Sequence, residues 1–156
     1  MASTAKTLTF VIPAYNMESY LDRCVNSLLS ASDISDLEVL IVDDGSKDGT
    51  LEYARKLERT NPGAVRAIHQ ENKGHGGAVN TGIAAATGMY VKVVDADDWV
   101  DPQAIDTVLA TLRAQHDTDE PIDMLVTNYV YDKVAKRHKT VVNFRRVMEA
   151  GRVLGW

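Results

Sequence analysis

An α/β fold, a mostly parallel sheet flanked by helices, is what this sequence predicts. Three observations point there. Short apolar runs rich in β-branched residues recur along the chain, each of a length suited to one strand. Between them, apolar residues repeat at the three- and four-residue spacing of amphipathic helices. Two of the runs end abruptly in acids, at Asp43-Asp44 and at Asp95-Ala96-Asp97-Asp98. Open α/β sheets bind ligands outside the carboxyl ends of their strands, so both acidic groups fall where a site is expected.

The elements follow in order. Leu8-Thr9-Phe10-Val11-Ile12 predicts a first strand, stopped by Pro13. Leu21, Val25, Leu28 and Leu29 place a helix over about 17–31, and Glu38 to Val42 is the second strand. Leu51, Ala54 and Leu57 mark a helix over about 50–60, ended by Asn61-Pro62-Gly63. Val65 to His69 is a short third strand. Ala78, Val79, Gly82, Ile83 and Ala86 give a further helix, closed by Gly88. Tyr90, Val91, Val93 and Val94 read as a buried fourth strand, and Ile105, Val108, Leu109 and Leu112 as the helix after it. Strands alternating with helices make βαβ units. Past about residue 121 the rhythm changes. Met124 to Tyr131 reads as a strand, and Thr140, Val142 and Phe144 alternate as in an exposed one. A basic turn over Lys133–Lys139 joins them into a possible C-terminal β-hairpin, and Arg145 to Arg152 reads as a short helix.

Composition narrows the classes of function. A chain of 156 residues holds one domain with a real core. A net charge of −5 argues against a nucleic-acid polymer as partner, which calls for a basic face. The single cysteine, Cys24, allows no internal disulfide and fits a reducing compartment; among helical residues it reads as a buried, inert thiol. No stretch approaches the roughly 20 apolar residues that span a bilayer, and the first residues lack a signal core.

The acidic cluster at Asp95, Asp97 and Asp98 is costly unless it meets a cation, because like charges this close repel. Hard divalent ions such as Mg²⁺ or Mn²⁺ take oxygen ligands and bridge carboxylates to phosphates. The blander alternative is a solvated loop leading into a helix that starts at Asp101-Pro102. Asp43-Asp44-Gly45-Ser46 at the same sheet edge favours a shared site, with Ser46 and Asp48 read as turn and cap residues. The run Asn72-Lys73-Gly74-His75-Gly76-Gly77 precedes a helix start, where free N–H groups favour phosphate and Lys73 and His75 add cationic donors. A flexible connection explains the same glycines equally well. Tyr15 either stacks on a base or packs on the rim of the core. A dinucleotide fingerprint is excluded, because Pro13-Ala14-Tyr15-Asn16 follows the first strand without a glycine. A phospho-acceptor receiver domain would need acids there, and an Asp where His69-Gln70-Glu71 stands.

Four segments taken together are specific. Phe10-Val11-Ile12-Pro13-Ala14-Tyr15-Asn16, Val42-Asp43-Asp44-Gly45-Ser46-Lys47-Asp48-Gly49-Thr50, Asn72-Lys73-Gly74 and Asp95-Ala96-Asp97-Asp98 stand in the order and spacing of family 2 glycosyltransferases. The chain resembles that family over roughly residues 7 to 115. The resemblance implies the Rossmann-like GT-A fold and transfer of a sugar, with inversion, from a nucleotide-diphosphate sugar, a UDP-sugar foremost. It implies Mn²⁺ or Mg²⁺ as cofactor and a glycan or lipid-linked sugar as acceptor. A cytoplasmic setting follows from it, at the inner face of the membrane, with peripheral association. Separately, the apolar end at Val153, Leu154 and Trp156 is expected to promote self-association into homo-oligomers. It further implies that Pro13, Ala14 and Tyr15 line the nucleoside pocket, that Asp44 accepts from the base, and that Lys73 and Gly74 lie near base and phosphates. Asp95 and Asp97 match the D-x-D element; one acid of this group meets the ribose, and Asp97 and Asp98 hold the metal. Glu18 fills a position where many relatives carry paired acids, here Met17-Glu18.

Inversion needs a carboxylate base to deprotonate the acceptor. After residue 121 only Asp123, Asp132 and Glu149 are available, none in a recognisable context. The expectation is therefore a donor-binding region over 1–120 and the start of a truncated acceptor-side region over 121–156, with the base beyond Trp156. The alternative is a nucleotide-binding module without transfer activity of its own.

Overall fold

A computed structural model describes residues 6–132, 139–146, Met148 and Gly151. The chain divides into two compact units between His116 and Asp117, and each is described by itself. In the first, strands β1 (Lys6–Ala14), β2 (Leu37–Asp43), β3 (Val65–His69) and β4 (Gly88–Val93) alternate with helices α1 (Glu18–Leu28), α2 (Thr50–Thr60), α3 (Gly74–Ala85) and α4 (Pro102–Arg113). The sheet is wholly parallel, in the order β3-β2-β1-β4. The chain therefore steps outward from β1 to β3, then returns to the other side of β1 for β4. That reversal makes a switch point between the carboxyl ends of β1 and β4, where open sheets leave a crevice for ligands.

Side chains alternate across the strands and sort into two layers. Val11, Leu40 and Val42 pack with Ala78 of α3 on one face. Phe10, Ile12, Val39 and Ile41 are equally buried on the other, where α1 lies against α2 and α4. Leu21, Val25 and Leu28 of α1 and Ile105, Leu109 and Leu112 of α4 are their buried stripes. Asp101 caps α4 by accepting from the amides of Gln103 (2.8 Å) and Ala104 (3.2 Å), with Pro102 in the first turn.

The structure corrects three expectations. Pro13 does not stop β1, which continues to Ala14. The Val11 carbonyl accepts from Val94 on the β4 side and that of Ala14 from Asp44 on the β2 side, so odd positions face β4. β4 pairs only as far as Val11 opposite Val93, so the missing Pro13 amide faces no ladder. Gly88 does not close α3; it opens β4, and α3 ends at Ala85 with Ala86 at its cap. Its place is set by close approach, because a Cβ there would stand 2.7 Å from the Thr9 nitrogen and 2.9 Å from the Leu8 carbonyl carbon. Finally, β4 is not buried: it is the edge strand of this sheet, with Met89 44% and Val91 42% exposed.

Buried polar groups close the far end of the sheet. Glu38, nearly buried, accepts from the Thr9 hydroxyl (2.8 Å) and from the amide (2.9 Å) and hydroxyl (3.0 Å) of Thr87, joining three strands' ends. Arg113 bonds Asp36, which also accepts from Thr7; the Arg113 hydrogen bond, opposed in part by burial, holds the Asp36 carboxyl far below its ordinary range.

In the second unit, β5 (Tyr129–Tyr131) and β6 (Thr140–Val142) pair antiparallel, with Tyr129 opposite Val142. The hairpin is present, but the strand expected from Met124 is confined to its last three residues. Tyr129 meets Tyr131 edge-on at 5.3 Å, and a 3₁₀ turn at Phe144–Arg146 follows. Phe144 lies in that turn and not in the exposed strand expected to include it. The basic turn and the Arg145–Arg152 helix fall mostly outside the described residues, and the apolar end at Val153, Leu154 and Trp156 wholly outside them.

Gly88→Ala is expected to destabilise the fold by about 1–3 kcal/mol, because backbone atoms cannot move aside for the methyl group. Gly76→Ala meets open space at a helical position, and should be neutral or stabilising by up to about 1 kcal/mol. Urea unfolding of the two variants measures the contrast.

Candidate active site

The carboxyl ends of β1, β2 and β4 carry the groups singled out from the sequence. Asp43 and Asp44 do not act as a pair. Asp43 belongs to β2, is 1% exposed, and takes His69 Nδ1 at 2.7 Å on the neighbouring strand. Its other oxygen accepts from the Ser46 amide at 3.3 Å. Asp44, the next residue, accepts from Gln70 Nε2 at 2.6 Å and from the Lys73 amide at 2.8 Å. Burial raises the Asp44 carboxyl, but the hydrogen bonds from Gln70, Lys73 and Gly74 outweigh it, so the group sits below its ordinary range. Gln70 is itself held by the Thr81 hydroxyl, which fixes its amide with nitrogen toward Asp44.

At the end of β4 the chain turns over Asp95–Asp98, closed by the Asp98 amide on the Asp95 carbonyl at 2.9 Å. Ala96 is buried, while Asp95, Asp97 and Asp98 face outward. Desolvation first, then the charges of Asp97 and Asp95, push the Asp98 carboxyl up. α1 holds this turn from beneath. Cys24, fully buried, donates its S–H to the Asp95 carbonyl at 3.7 Å. Burial and the charges of Asp98, Asp97 and Asp95 push its thiol up to about 12, so it stays protonated and able to donate. The Arg23 guanidinium stacks 3.2 Å from the Trp99 ring centre, and the Ser27 hydroxyl accepts from the Val100 amide at 3.1 Å. Arg23, Cys24, Ser27 and Gln70 escaped the sequence reading as site residues. The one available signal was the helical spacing of Arg23 and Ser27 around Cys24.

The loop after β1 is laced to the loop after β2 by reciprocal bonds. Asn16, in the left-handed region at φ 55°, gives its amide to Ser46 Oγ (3.0 Å) and takes the Lys47 amide on its side chain (2.9 Å). The Met17 amide reaches Thr50 Oγ1 (2.8 Å), and the Glu18 amide reaches Asp48 (3.4 Å). Glu18 Oε2 accepts from the Gly49 amide at 3.1 Å. Asp48 also accepts from the Thr50 amide at 3.0 Å, so one carboxylate serves the first turns of two helices. Glu18 is thus engaged at the start of α2, away from the acidic turn. Pro13 and Ala14 are buried at the end of β1, whereas Tyr15 is 41% exposed beyond them.

The glycine-rich run proves to be the first turn of α3, which begins at Gly74 with Lys73 at its cap position. Lys73 gives its amide to Asp44, and His75 Nε2 lies 2.9 Å from Asp95 Oδ1. The turn therefore joins Asp44 to Asp95 across the end of β1. The donor set at Asp95–Asp98 is all oxygen, which suits a hard cation. Even so, no group of three or more His, Cys, Asp or Glu among the described residues is arranged to hold a metal. The open grooves beside α2 take in Glu18, Asp48 and Gly49 but none of Asp44, Lys73, Asp95 or Asp97. Of the remaining acids, Asp132 pairs with Lys139 at 2.8 Å, and Glu149 lies outside the described residues.

The sequence pattern of the family described as Glycosyl transferase family 2 matches residues 9–144. The chain is a member of that family. It is 42% identical over 106 residues to chondroitin synthase of Escherichia coli, covering 68% of this chain and 15% of that one. Among solved structures it resembles Staphylococcus aureus TarS residues 1–349 in complex with UDP-GlcNAc, with TM-score 0.63 and 28% identity over 70% of this chain and 32% of that one. It also resembles the mannosyltransferase PcManGT of Pyrobaculum calidifontis in complex with GDP-Man and Mn²⁺, with TM-score 0.60 and 29% identity over 68% of this chain and 31% of that one. The chain thus spans a third or less of these relatives. No helix among the described residues is long and apolar enough to cross a membrane.

In this member of the family, the lacing of the two loops has a pH signature. Burial raises the Asp48 carboxyl, but the bonds from the Thr50 hydroxyl and amide and the Glu18 amide outweigh it and hold it below its ordinary range. A depressed carboxyl stabilises the fold above its unfolded value of about 3.9, and that contribution disappears as pH falls through its folded value. Asp48→Ala should cost about 1–2 kcal/mol at neutral pH. Its deficit against the wild type should shrink as pH drops below about 4, which denaturation at a series of pH values measures.

Proposed function

We propose that this chain binds the nucleotide-diphosphate sugar donor of an inverting, metal-assisted glycosyltransferase, a UDP-sugar foremost. The observation that carries the reading is the joining of Asp44 and Asp95 by the first turn of α3, at the switch point between β1 and β4. On this reading Asp44 accepts from the base, and exposed Tyr15 stacks on it above Pro13 and Ala14. Asp95 meets the ribose. Lys73 and the Gly74 turn lie toward the phosphates, where α3 presents N–H groups to an anion. Asp97 and Asp98 would hold Mn²⁺ or Mg²⁺, which supplies charge neutralisation for the departing diphosphate. The raised Asp98 carboxyl supports this, because a cation among three crowded carboxylates relieves the repulsion that raises it. The relatives' complexes with UDP-GlcNAc and with GDP-Man and Mn²⁺ support a nucleotide sugar and a divalent ion. Glu18 supports the pocket through the Gly49 amide and needs no contact with the donor.

The acceptor side is proposed more coarsely, as a glycan or lipid-linked sugar handled on the cytoplasmic face of a membrane. No base is assigned to a described residue.

Calorimetry with UDP and with GDP, each with and without Mn²⁺, tests the donor reading. Metal-dependent binding of one of them is expected, and its absence for both nucleotides rules the reading out. Asp97→Ala and Asp98→Ala should each weaken metal-supported binding by about tenfold or more, as loss of one charged ligand requires. Asp48→Ala, which loses caps and no ligand, should bind within about twofold of wild type while folded.

A further inference from the structure

We infer that His75 is a positioning residue that orients Asp95 for the donor, acting as a clamp from α3 onto the end of β4. The inference rests on the donor-binding reading above and deepens it. His75 Nε2 lies 2.9 Å from Asp95 Oδ1. A carboxylate only accepts, so Nε2 carries the proton and donates. The same helical turn gives the Lys73 amide to Asp44 at 2.8 Å. β1 lies between β2 and β4 in the sheet, so the two acids stand on strands two places apart. That spacing is about 10 Å between strand axes, and no backbone ladder fixes one carboxylate against the other across it. Residues 73 and 75 on one helical turn do so.

Asp95 needs such a partner more than Asp44 does. Asp44 is 2% exposed and bonded by Gln70 as well as Lys73. The Asp95 side chain is 56% exposed and shares its turn with Asp97 and Asp98. Without His75 its carboxylate would have several rotamers open to it, beside two like charges. The Cys24 thiol holds only the Asp95 backbone carbonyl, from the opposite side. His75 is the side chain that holds the carboxylate itself. A carboxylate fixed beforehand loses less freedom when a ligand hydroxyl binds to it, so the effect falls on ligand affinity.

The test is a double-mutant cycle on the full chain, with UDP and Mn²⁺ as the probe, or GDP and Mn²⁺ where the wild type prefers it. His75→Ala should weaken nucleotide binding by about fivefold, the scale of one charge-assisted bond in a half-exposed site. His75→Gln, which keeps an N–H donor of similar reach, should restore most of it. Asp95→Ala combined with His75→Ala should bind no more weakly than Asp95→Ala alone, because His75 acts only through Asp95. Urea midpoints of all variants should match the wild type, since both side chains are exposed. Binding by His75→Ala equal to wild type overturns the inference. So do losses that add in the double variant, the signature of a direct contact between His75 and the phosphates. If the wild type itself binds neither nucleotide, the donor reading falls first and the role of His75 falls with it.

Discussion

The parallel pairing of β1 with β2 on one side and β4 on the other decides where every functional group of this chain stands. Register along the three strands brings Ala14 opposite Asp43 and ends the β4 ladder at Val11 opposite Val93. β1 and β2 therefore run further than β4 at the carboxyl edge. The step left where β4 stops is filled by the Asp95–Asp98 turn. A proline is tolerated at position 13 for the same reason, because its nitrogen faces that step. Burial of Val11, Leu40, Val42 and Ala78 holds the register, since a slip by one residue would turn every apolar side chain to the wrong face.

Acids at this edge have been given separate physical tasks. Asp43 spends its charge on His69 inside the sheet layer, and Asp48 on the first turns of two helices. Asp44 is buried but keeps its charge through Gln70 and the Lys73 amide. Among the described acids of this edge, the Asp95–Asp98 turn groups three carboxylates facing outward, of which His75 holds Asp95, and there the Asp98 carboxyl is raised and not lowered. An acidic protein that binds an anionic ligand must place positive charge or N–H groups between the two. The N–H groups of the first turn of α3, Lys73 and a divalent cation are the candidates this chain offers.

Much of the fold was legible because turn and cap chemistry sits in the sequence itself. Thr50–Thr60 and Val65–His69 are bounded by Asp48-Gly49 and by Asn61-Pro62-Gly63, and both elements have the extent their patterns predict. The exposure of β4 was not legible, since Tyr90 to Val94 has the same composition whether or not a further strand lies beside it. Pro13 and Gly88 misled for a related reason: each obeys a local rule, and each is overridden by a neighbouring strand that lies elsewhere in the sequence. At the site, the acids announced themselves because a run of charges after a strand is a local pattern. Their supports did not. Arg23, Cys24 and Ser27 meet the acidic turn from across more than 70 residues, and their helical spacing in α1 groups them without telling what they meet.

Those supports explain how a turn carrying three carboxylates keeps one shape. Repulsion among Asp95, Asp97 and Asp98 favours opening it, and the Asp98 amide on the Asp95 carbonyl is a single bond against that. α1 contributes a thiol beneath the turn, a hydroxyl at its exit and a guanidinium over Trp99, all on one helix anchored in the core by Leu21, Val25 and Leu28. The turn is thus held through its backbone, and among the described residues no hydrogen bond takes the side-chain oxygens of Asp97 and Asp98, which face whatever binds there.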